Sequence, residues 1–400
     1  MSDTTPPEAL PSERRIIAAV WPTLLASAAG LLPFTIFTTY LVPIAEAVGD
    51  GHAEVGSMRG LAGIGAVLTG IALAPLIGRI APGRVAAASL VLLGIAALIG
   101  TAAWIPALAA FCLLTGVSNA LLYPALSSAA ADRFGTGPAA SRGAALVMTS
   151  QTLASTLGAP LLIIPTLWWG WQGDLVAIAV IAFLLAPILY RFGRDEHADN
   201  APRLGYIAAF RTLAAVPGAV PLLTVSFARA GAFMGHLAFL APLYGDRFGL
   251  TSSMFAFVWS LSGGSFFLGH LISGRMVNLD ESDRRAQRVM TISLLTALIA
   301  MIGVYTAPVL PLALICTAIL SASHAVVSAA VVTLLVRRCT DVRGTALSLN
   351  SAGMSLGLFL GAAASGTAMS TAGYQGAVIA LSAMTVAGLV AAMTLKNRTP

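Results

Sequence analysis

Three basic side chains lie inside long apolar stretches of the sequence, where ionisable groups are rare. Arg229 lies in the middle of Pro221 to Tyr244, His236 follows seven residues later, and His324 lies in the apolar stretch that begins near Val309. A charge at the centre of a membrane-spanning helix costs about 3 kcal/mol or more, so it should face protein or water and marks a candidate functional site.

The chemistry of these side chains suggests anion binding and proton exchange. A guanidinium is always charged, and its planar donors fit a carboxylate, sulfonate or phosphate, so we predict that Arg229 binds an anion. The alternative is an arginine that braces its helix by bonding to carbonyl oxygens. His236 and His324 titrate near neutral pH and are candidates for coupling protons to the same site. The alternative for each histidine is a neutral ring bonded to a carbonyl or a serine.

None of the acids in this sequence is predicted to lie in the middle of an apolar stretch. Glu46, at the end of the first apolar stretch, is the nearest candidate, and we predict that it is a solvated acid facing Arg59. Arg229 therefore lacks an obvious buried acidic partner.

The composition identifies the chain as a membrane protein. Hydrophobic residues make up 58% of it and charged residues 10%, against about 25% charged residues in soluble domains. We find no nucleotide-binding loop, metal-ligand cluster or catalytic triad, so the sequence predicts neither an enzyme nor a cofactor, metal or nucleic-acid partner. The expected partners are a small-molecule substrate, a proton and the lipid bilayer, and the expected state is a monomer.

Hydropathy and breaks at Gly, Pro and charged residues predict an all-α protein with twelve membrane spans. They cover residues 17–45, 55–78, 84–103, 105–130, 143–167, 173–192, 218–244, 252–277, 287–306, 309–336, 344–370 and 375–395. The widest interior gap divides the chain into a bundle at 1–192, a cytoplasmic linker at 193–217 and a second bundle at 218–400.

The basic residues predict the orientation of the spans. With the N-terminus inside the cell, all but three of the 22 lysines and arginines fall in cytoplasmic segments, the exceptions being Arg59, Arg229 and Arg247. This bias predicts an inner (plasma) membrane protein with both termini in the cytoplasm.

The two halves of the chain repeat each other. Arg142-Gly-Ala-Ala-Leu-Val-Met-Thr-Ser150 opens the fifth span, and Arg343-Gly-Thr-Ala-Leu-Ser-Leu-Asn-Ser351 opens the eleventh, with identity at five of the nine positions. Repeated six-helix halves are typical of transporters that rock about a site near the middle of the membrane.

The loops after the second and eighth spans carry a family resemblance. The stretch Ala74-Pro-Leu-Ile-Gly78-Arg79-Ile-Ala-Pro-Gly83-Arg84 resembles the Gly-x-x-x-Asp-Arg-x-Gly-Arg motif of the major facilitator superfamily, and the loop ending Gly274-Arg275 is its counterpart. The acid of the motif is absent from both. The resemblance implies twelve helices in two pseudo-symmetric bundles, with Arg79, Arg84 and Arg275 acting in conformational change.

The fifth span indicates which branch of the family the chain resembles. Ala154-Ser-Thr-Leu-Gly158-Ala-Pro160 and the following Trp169-Gly-Trp171 resemble the antiporter motif and turn of the drug-efflux or arabinose-efflux branch. This resemblance implies efflux, antiport and multidrug resistance, with Gly158 and Pro160 as conformational residues. The arginine that proton-coupled members carry in the fourth span is Cys112 here.

In the resembling fold, spans 1, 4, 7 and 10 line the central cavity. That placement adds polar and aromatic residues to the predicted substrate site, namely Thr38, Tyr40, Asn119, Tyr123 and Phe233, beside Arg229, His236 and His324.

Small residues at fourfold spacing predict the surfaces on which the halves slide. They are Ala62, Ala66, Gly70 and Ala74 of span 2, Gly353, Gly357 and Gly361 of span 11, Ala154 and Gly158 of span 5, and Ser260 and Gly264 of span 8. The resembling fold pairs span 2 with span 11 and span 5 with span 8. The alternative is ordinary packing within one half.

Together these observations predict a secondary active transporter that exports a small amphiphilic or anionic organic compound by alternating access, with proton coupling through a histidine. One alternative is import of an organic or inorganic anion by uniport or proton symport. Another is a non-transporting membrane sensor on the same fold.

Overall fold

The computed structural model describes residues 12–77, 80–134, 138–192, 206–278, 283–339 and 343–395, and its ordered elements are helices. The elements are α1 (Glu13–Thr39), α2 (Leu41–Val48), α3 (His52–Ser57), α4 (Leu61–Ile77), α5 (Pro82–Gly100), α6 (Ile105–Asp132), α7 (Pro138–Phe192), α8 (Tyr206–Ala214), α9 (Ala219–Ala238), α10 (Leu240–Phe248), α11 (Ser252–Asn278), α12 (Asp283–Thr306), α13 (Leu310–Arg338) and α14 (Arg343–Met393), with a 3-10 turn at Met58–Gly60 between α3 and α4.

These helices provide the twelve spans of two six-helix bundles. Within the described ranges, eight helices are long and apolar enough to cross a membrane, or nine when α9 and α10 count as one bent span. The long helices α7 and α14 each hold two spans, because each contains a turn with non-helical backbone angles, at Trp169–Gly170 and Ala372–Gly373. The remaining span is the 17-residue α4.

The halves match each other at their breaks. The first span stops at Thr39 and resumes as α2 after Tyr40, and the seventh stops at Ala238 and resumes as α10 after Phe239. The two breaks have the same cause. Pro43 and Pro242 stand four residues after these last helical positions, and a proline clashes with the carbonyl group four residues before it.

Four glycines turn the chain at one end of the bundle. Gly49, Gly170, Gly249 and Gly373 all have φ between 58° and 69°, a conformation that costs other residues energy. We call this the glycine end, and we call the opposite end, which carries Arg142 and Arg338, the arginine end. Two ion pairs at the arginine end, Arg142 with Glu13 and Arg338 with Asp283, each join helices of one half.

The halves meet along two helix pairs, as the resemblance predicted, but through other residues than those predicted for span 2. Gly60 and Gly63, before and in α4, face Phe359 and Ser355 of α14, whereas Ala62 faces Gly116 in its own half. Ala62, the first residue of the predicted stripe of span 2, therefore packs within its own half. Nearer the glycine end, Gly366 of α14 faces Ser57 and Ala53, so the halves are in contact there.

Three predicted sliding glycines pack within one half instead, which is the alternative given for them. Gly357 and Gly361 of α14 face Phe227 and Gly231 of α9, and Gly158 faces Leu32 and Thr35 of α1. The contact between α7 and α11 across the halves is made at Gly263, which faces Ser155, and at Gly264, which faces Thr156. Gly264 therefore lies between the halves as predicted.

Candidate functional site

Arg229 is buried in the middle of α9 and lacks partners for part of its guanidinium. Only 1% of the residue is exposed, and Nε and Nη1 have no hydrogen-bond partner among the described residues. The ion pairs that the structure describes leave it without an acid. Its helix therefore holds donors and a positive charge in the protein interior that the surrounding described residues do not satisfy.

Glycine contacts determine which face of α9 carries Arg229. Gly231 and Gly235 face Gly357 and Gly361 of α14, and a Cβ at Gly235, Gly357 or Gly361 would collide with backbone of the facing helix. Residues two apart on a helix point in nearly opposite directions. The close packing with α14 thus turns Arg229 and Phe233 toward the other side of α9.

On that side four rings form a continuous column. His324 of α13 stacks on Phe233 with ring centroids 4.8 Å apart, Phe233 stacks on Phe266 of α11 at 5.5 Å, and Phe266 meets the edge of His270 at 4.8 Å. Both histidines lie within electrostatic range of Arg229. We call these four rings the aromatic column. Spans 7, 8 and 10 therefore place a cation beside a planar apolar surface, which suits an amphiphilic anion.

The histidines differ in how they are held. His324 is fully buried, and neither ring nitrogen has a hydrogen-bond partner within the described ranges. Nδ1 of His236 lies 3.4 Å from the Tyr305 hydroxyl, while the buried Nε2 of the same ring has no described hydrogen-bond partner. His270 was missed as a site residue by the sequence reasoning, although its spacing of four from Phe266 places both on one helix face.

The predicted N-terminal site residues cluster around α1. The amide of Asn119 donates to the Gly30 carbonyl at 2.9 Å, and Oδ1 of Asn119 and the Tyr123 hydroxyl lie against the same glycine. That Oδ1, the Tyr123 hydroxyl and the buried Thr38 hydroxyl have no hydrogen-bond partner in the described part of the chain. These three groups remain available to a ligand.

Tyr40 has a partner inside the protein. Its hydroxyl lies 2.8 Å from Oγ1 of Thr166, which in turn donates to Oδ2 of Asp174 at 2.8 Å. Asp174 is fully buried, with Oδ1 unpartnered among described residues. Asp174 lies near the end of its span, in keeping with the prediction that no acid lies in the middle of one, but its burial was not predicted. It follows the Trp169–Gly170 turn closely, and such a position is typical of an exposed loop residue.

Glu46 is solvated, as predicted, but Arg59 does not face it. The residue is 2% exposed and its guanidinium carbon lies 3.2 Å from the centroid of the Phe34 ring, whereas Glu46 is exposed to solvent. The 3-10 turn at Met58–Gly60 directs Arg59 inward at the point where α4 begins. The predicted pairing of Arg59 with Glu46 is not among the described ion pairs.

The residues predicted to act in conformational change are less completely described. Arg79 lies outside the described residues, as does the side chain of Arg275. Arg84 is exposed and lies over Tyr190 at 5.9 Å, and Pro160 is inside α7. Among described residues, no group of three or more His, Cys, Asp or Glu side chains could hold a metal ion.

Comparisons with known proteins give one consistent result. Residues 23–280 and 281–400 match the profile of the Major Facilitator Superfamily. No curated protein matches the sequence.

Solved structures share the fold at low sequence identity. A bacterial homologue of the human lysosomal transporter Spinster, in an inward-facing, unoccupied conformation, superposes with a TM-score of 0.73 and 17% identity, over 98% of this chain and 100% of that one. The nucleoside transporter NupG superposes with a TM-score of 0.70 and 14% identity, over 94% of this chain and 99% of that one. The human organic anion transporter TETRAN superposes with a TM-score of 0.66 and 19% identity, over 96% of this chain and 100% of that one.

Proposed function

Because the chain belongs to the Major Facilitator Superfamily, we propose that it is a secondary active transporter that exports small amphiphilic organic anions by alternating access. One observation supports this most: Arg229 is 1% exposed, and Nε and Nη1 of its guanidinium have no described partner. An uncompensated charge in the membrane interior is costly. A bound anion would offset that cost with charge-assisted hydrogen bonds.

The neighbourhood of Arg229 supports the amphiphilic part of the proposal. Phe233 and Phe266 form a stacked apolar pair near Arg229, and Asn119, Tyr123 and Thr38 on the opposite half carry polar groups without described partners. An aromatic carboxylate or sulfonate would place its charge at Arg229 and its ring along the aromatic column. The similarity of the fold to that of the organic anion transporter TETRAN is consistent with this proposal, although the nucleoside transporter NupG has a similar fold as well.

Alternating access follows from the contact between the halves. In this structure the glycine end is closed, with α14 against α3 and α4, so the proposed site opens toward the arginine end or is enclosed. With the arginine end open to the cytoplasm, this arrangement is the state that receives a substrate for export. Opening must break the contacts at Gly60, Gly63 and Gly366. We propose that protonation of His324 or His236 couples this movement to the proton gradient.

A flux experiment tests substrate class and direction together. Inverted membrane vesicles containing the full chain are offered radiolabelled benzenesulfonate, benzenesulfonamide or benzylamine, which share a ring and differ in charge. A sulfonate stays ionised at all working pH values, so it does not leak through lipid as a neutral acid. We expect uptake of benzenesulfonate, driven by an acidic vesicle lumen, and at least tenfold less uptake of the other two.

The controls separate the parts of the proposal. Arg229→Gln should reduce benzenesulfonate uptake at least tenfold. Arg247→Gln, which changes an arginine at the glycine end of the same bent span, should not reduce it. Faster transport of benzylamine than of benzenesulfonate would overturn the substrate class. Transport driven only when the proton gradient is reversed would overturn the direction and support import.

A further inference from the structure

Arg59 is a second buried arginine for which the structure offers no hydrogen bond. None of its three guanidinium nitrogens has a hydrogen-bond partner in the described ranges, and its guanidinium carbon lies 3.2 Å from the centroid of the Phe34 ring. A cation over an aromatic ring is stabilised by the charge distribution of that ring. The ring does not replace the hydrogen bonds that five N–H donors make in water.

Arg247 shows what a bracing arginine looks like in the same protein. It lies at the glycine end, in α10, and donates to the carbonyl oxygens of Tyr305 and, at 2.7 Å, Ala307. Those carbonyls terminate α12, so the arginine caps a helix. Arg59 makes no comparable bond to described backbone, which argues against a bracing role.

Other unpartnered donors surround the ring on which Arg59 lies. Trp259 of α11 lies 5.9 Å from Phe34, and its buried Nε1 has no described partner. His236 is within electrostatic range of Arg59, and its Nε2 is likewise without one. When the Tyr305 hydroxyl donates to Nδ1 of His236, the ring proton lies on Nε2 and makes it a donor too. With His236 in that tautomer, the free groups of Arg59, Trp259 and His236 are all donors, which is the chemistry of an anion site.

This cluster lies apart from Arg229 along the bundle axis. His236 follows Arg229 by seven residues on α9, which is about 10 Å at 1.5 Å per residue. Arg59 is near the His236 level, on the glycine-end side. A single carboxylate or sulfonate group is too small to contact both arginines at once.

We propose that Arg59, with Phe34, Trp259 and His236, forms a second anion position that receives an aromatic carboxylate or sulfonate on the glycine-end side of Arg229. The inference rests on the proposed function, because it places a second step on the same transport path. Arg59 and Phe34 belong to one half, and Trp259 and His236 belong to the other. Opening the glycine end therefore divides the site and exposes its arginine to the outside.

Kinetics measured from each membrane face test this assignment. Benzenesulfonate uptake is followed in inverted vesicles, which present the arginine end, and in right-side-out vesicles, which present the glycine end. We expect Arg59→Gln to raise the KM from the glycine end at least ten times more than the KM from the arginine end. Arg229→Gln should raise both. Arg59→Lys keeps the charge but loses the planar set of guanidinium donors, so its KM from the glycine end should lie between those of the wild type and Arg59→Gln.

A measurement of thermal unfolding distinguishes a specific effect on the KM from a general loss of folded protein. Thermal unfolding of Arg59→Gln and Arg59→Met should show a midpoint at or above that of the wild type, because an unpartnered buried charge is removed. A lower midpoint for both variants would mean that Arg59 holds the fold together and would overturn the proposal.

The remaining outcomes are also decisive. If Arg59→Gln changes neither KM, or raises both equally, the second position does not exist, while the loss of transport in Arg229→Gln leaves the proposed function intact. If the wild type transports no benzenesulfonate and Arg229→Gln has no effect on any probe, the proposed function fails and this inference fails with it.

Discussion

His324 stacks on Phe233 at 4.8 Å, and this contact joins span 10 to the turn of α9 that follows Arg229. The ring of His324 is held by stacking alone among the described residues, since both nitrogens lack hydrogen-bond partners. A change in its charge would act on the site of the arginine directly, because the two side chains lie within electrostatic range.

Affinity for an anion should therefore depend on pH through His324. The proposed exchange of protons for the anion requires that the two occupy the site alternately, so anion binding releases a proton from His324 and the Kd for benzenesulfonate rises as the pH is lowered. The rise is at most about tenfold per pH unit for one linked proton. Titration calorimetry from pH 5.5 to 8.5 measures it. His324→Phe should keep the stacking and lose the pH dependence, whereas His52→Phe, on α3 at the glycine end, should retain it. The same slope in His324→Phe would contradict the assignment.

Removal of Arg229 should stabilise the fold while it stops transport. Replacing even a buried ion pair with apolar side chains of similar volume is often neutral or stabilising by about 1–4 kcal/mol, and an unpaired buried charge lacks the attraction that a pair provides. We expect a higher thermal midpoint for Arg229→Met and at least tenfold slower benzenesulfonate transport. Arg247→Met is the matched control: it loses bonds to the carbonyls of Tyr305 and Ala307 and should be destabilised by about 1–2 kcal/mol. Equal destabilisation of both variants would identify Arg229 as a bracing residue.

The glycine end should open when the contact of Gly63 with Ser355 is blocked. An alanine Cβ at Gly63 would collide with the Ser355 carbonyl across the two halves, whereas at Gly353 no atom lies within 4 Å. We expect Gly63→Ala to shift the population toward states with the glycine end open. Electron-spin distances between labels at Ala47→Cys and Ser253→Cys measure the shift, in a background in which Cys112, Cys316 and Cys339 are replaced.

The alanine at Gly353 serves as the control for that experiment. Gly353→Ala should leave the distance distribution unchanged, because the added methyl group meets open space. A longer distance in both variants, or in neither, would show that closure does not depend on the contact between α4 and α14.

The chain of hydrogen bonds from Tyr40 to Asp174 should contribute to stability. Tyr40→Phe and Thr166→Val each remove one hydroxyl from it, and together they should cost less than the sum of the single changes. We expect a coupling of about 1 kcal/mol, the net value of one buried hydrogen bond. Chemical denaturation of the four members of the cycle measures it. Strict additivity would mean that the two hydroxyls do not interact.

The sequence predicted the helices well because the physical cause is local. Apolar length, proline and glycine determine where a span begins and breaks, and the repeat at Arg142 and Arg343 identified the two halves before any contact was known. The burial of Arg229 followed from the same reasoning. Each of these features depends on residues close together in the chain.

What could not be predicted depends on which faces of helices meet. Span 2 has small residues on two faces, and nothing local distinguishes Ala62, which packs inside its half, from Gly63, which packs across it. Arg59 lies near the acids Glu46 and Glu54 in sequence, so a solvated position was the natural expectation. Only the inward direction of the turn at Met58–Gly60 places it over Phe34.

The central claim is that the guanidinium of Arg229 holds the anionic group of the substrate. Its most direct test is titration calorimetry of the purified full chain with benzenesulfonate and with benzenesulfonamide, repeated on Arg229→Gln. We predict that the wild type binds the sulfonate at least tenfold more tightly than the sulfonamide, and that the variant binds both equally weakly. An undiminished preference for the sulfonate in Arg229→Gln would contradict the claim.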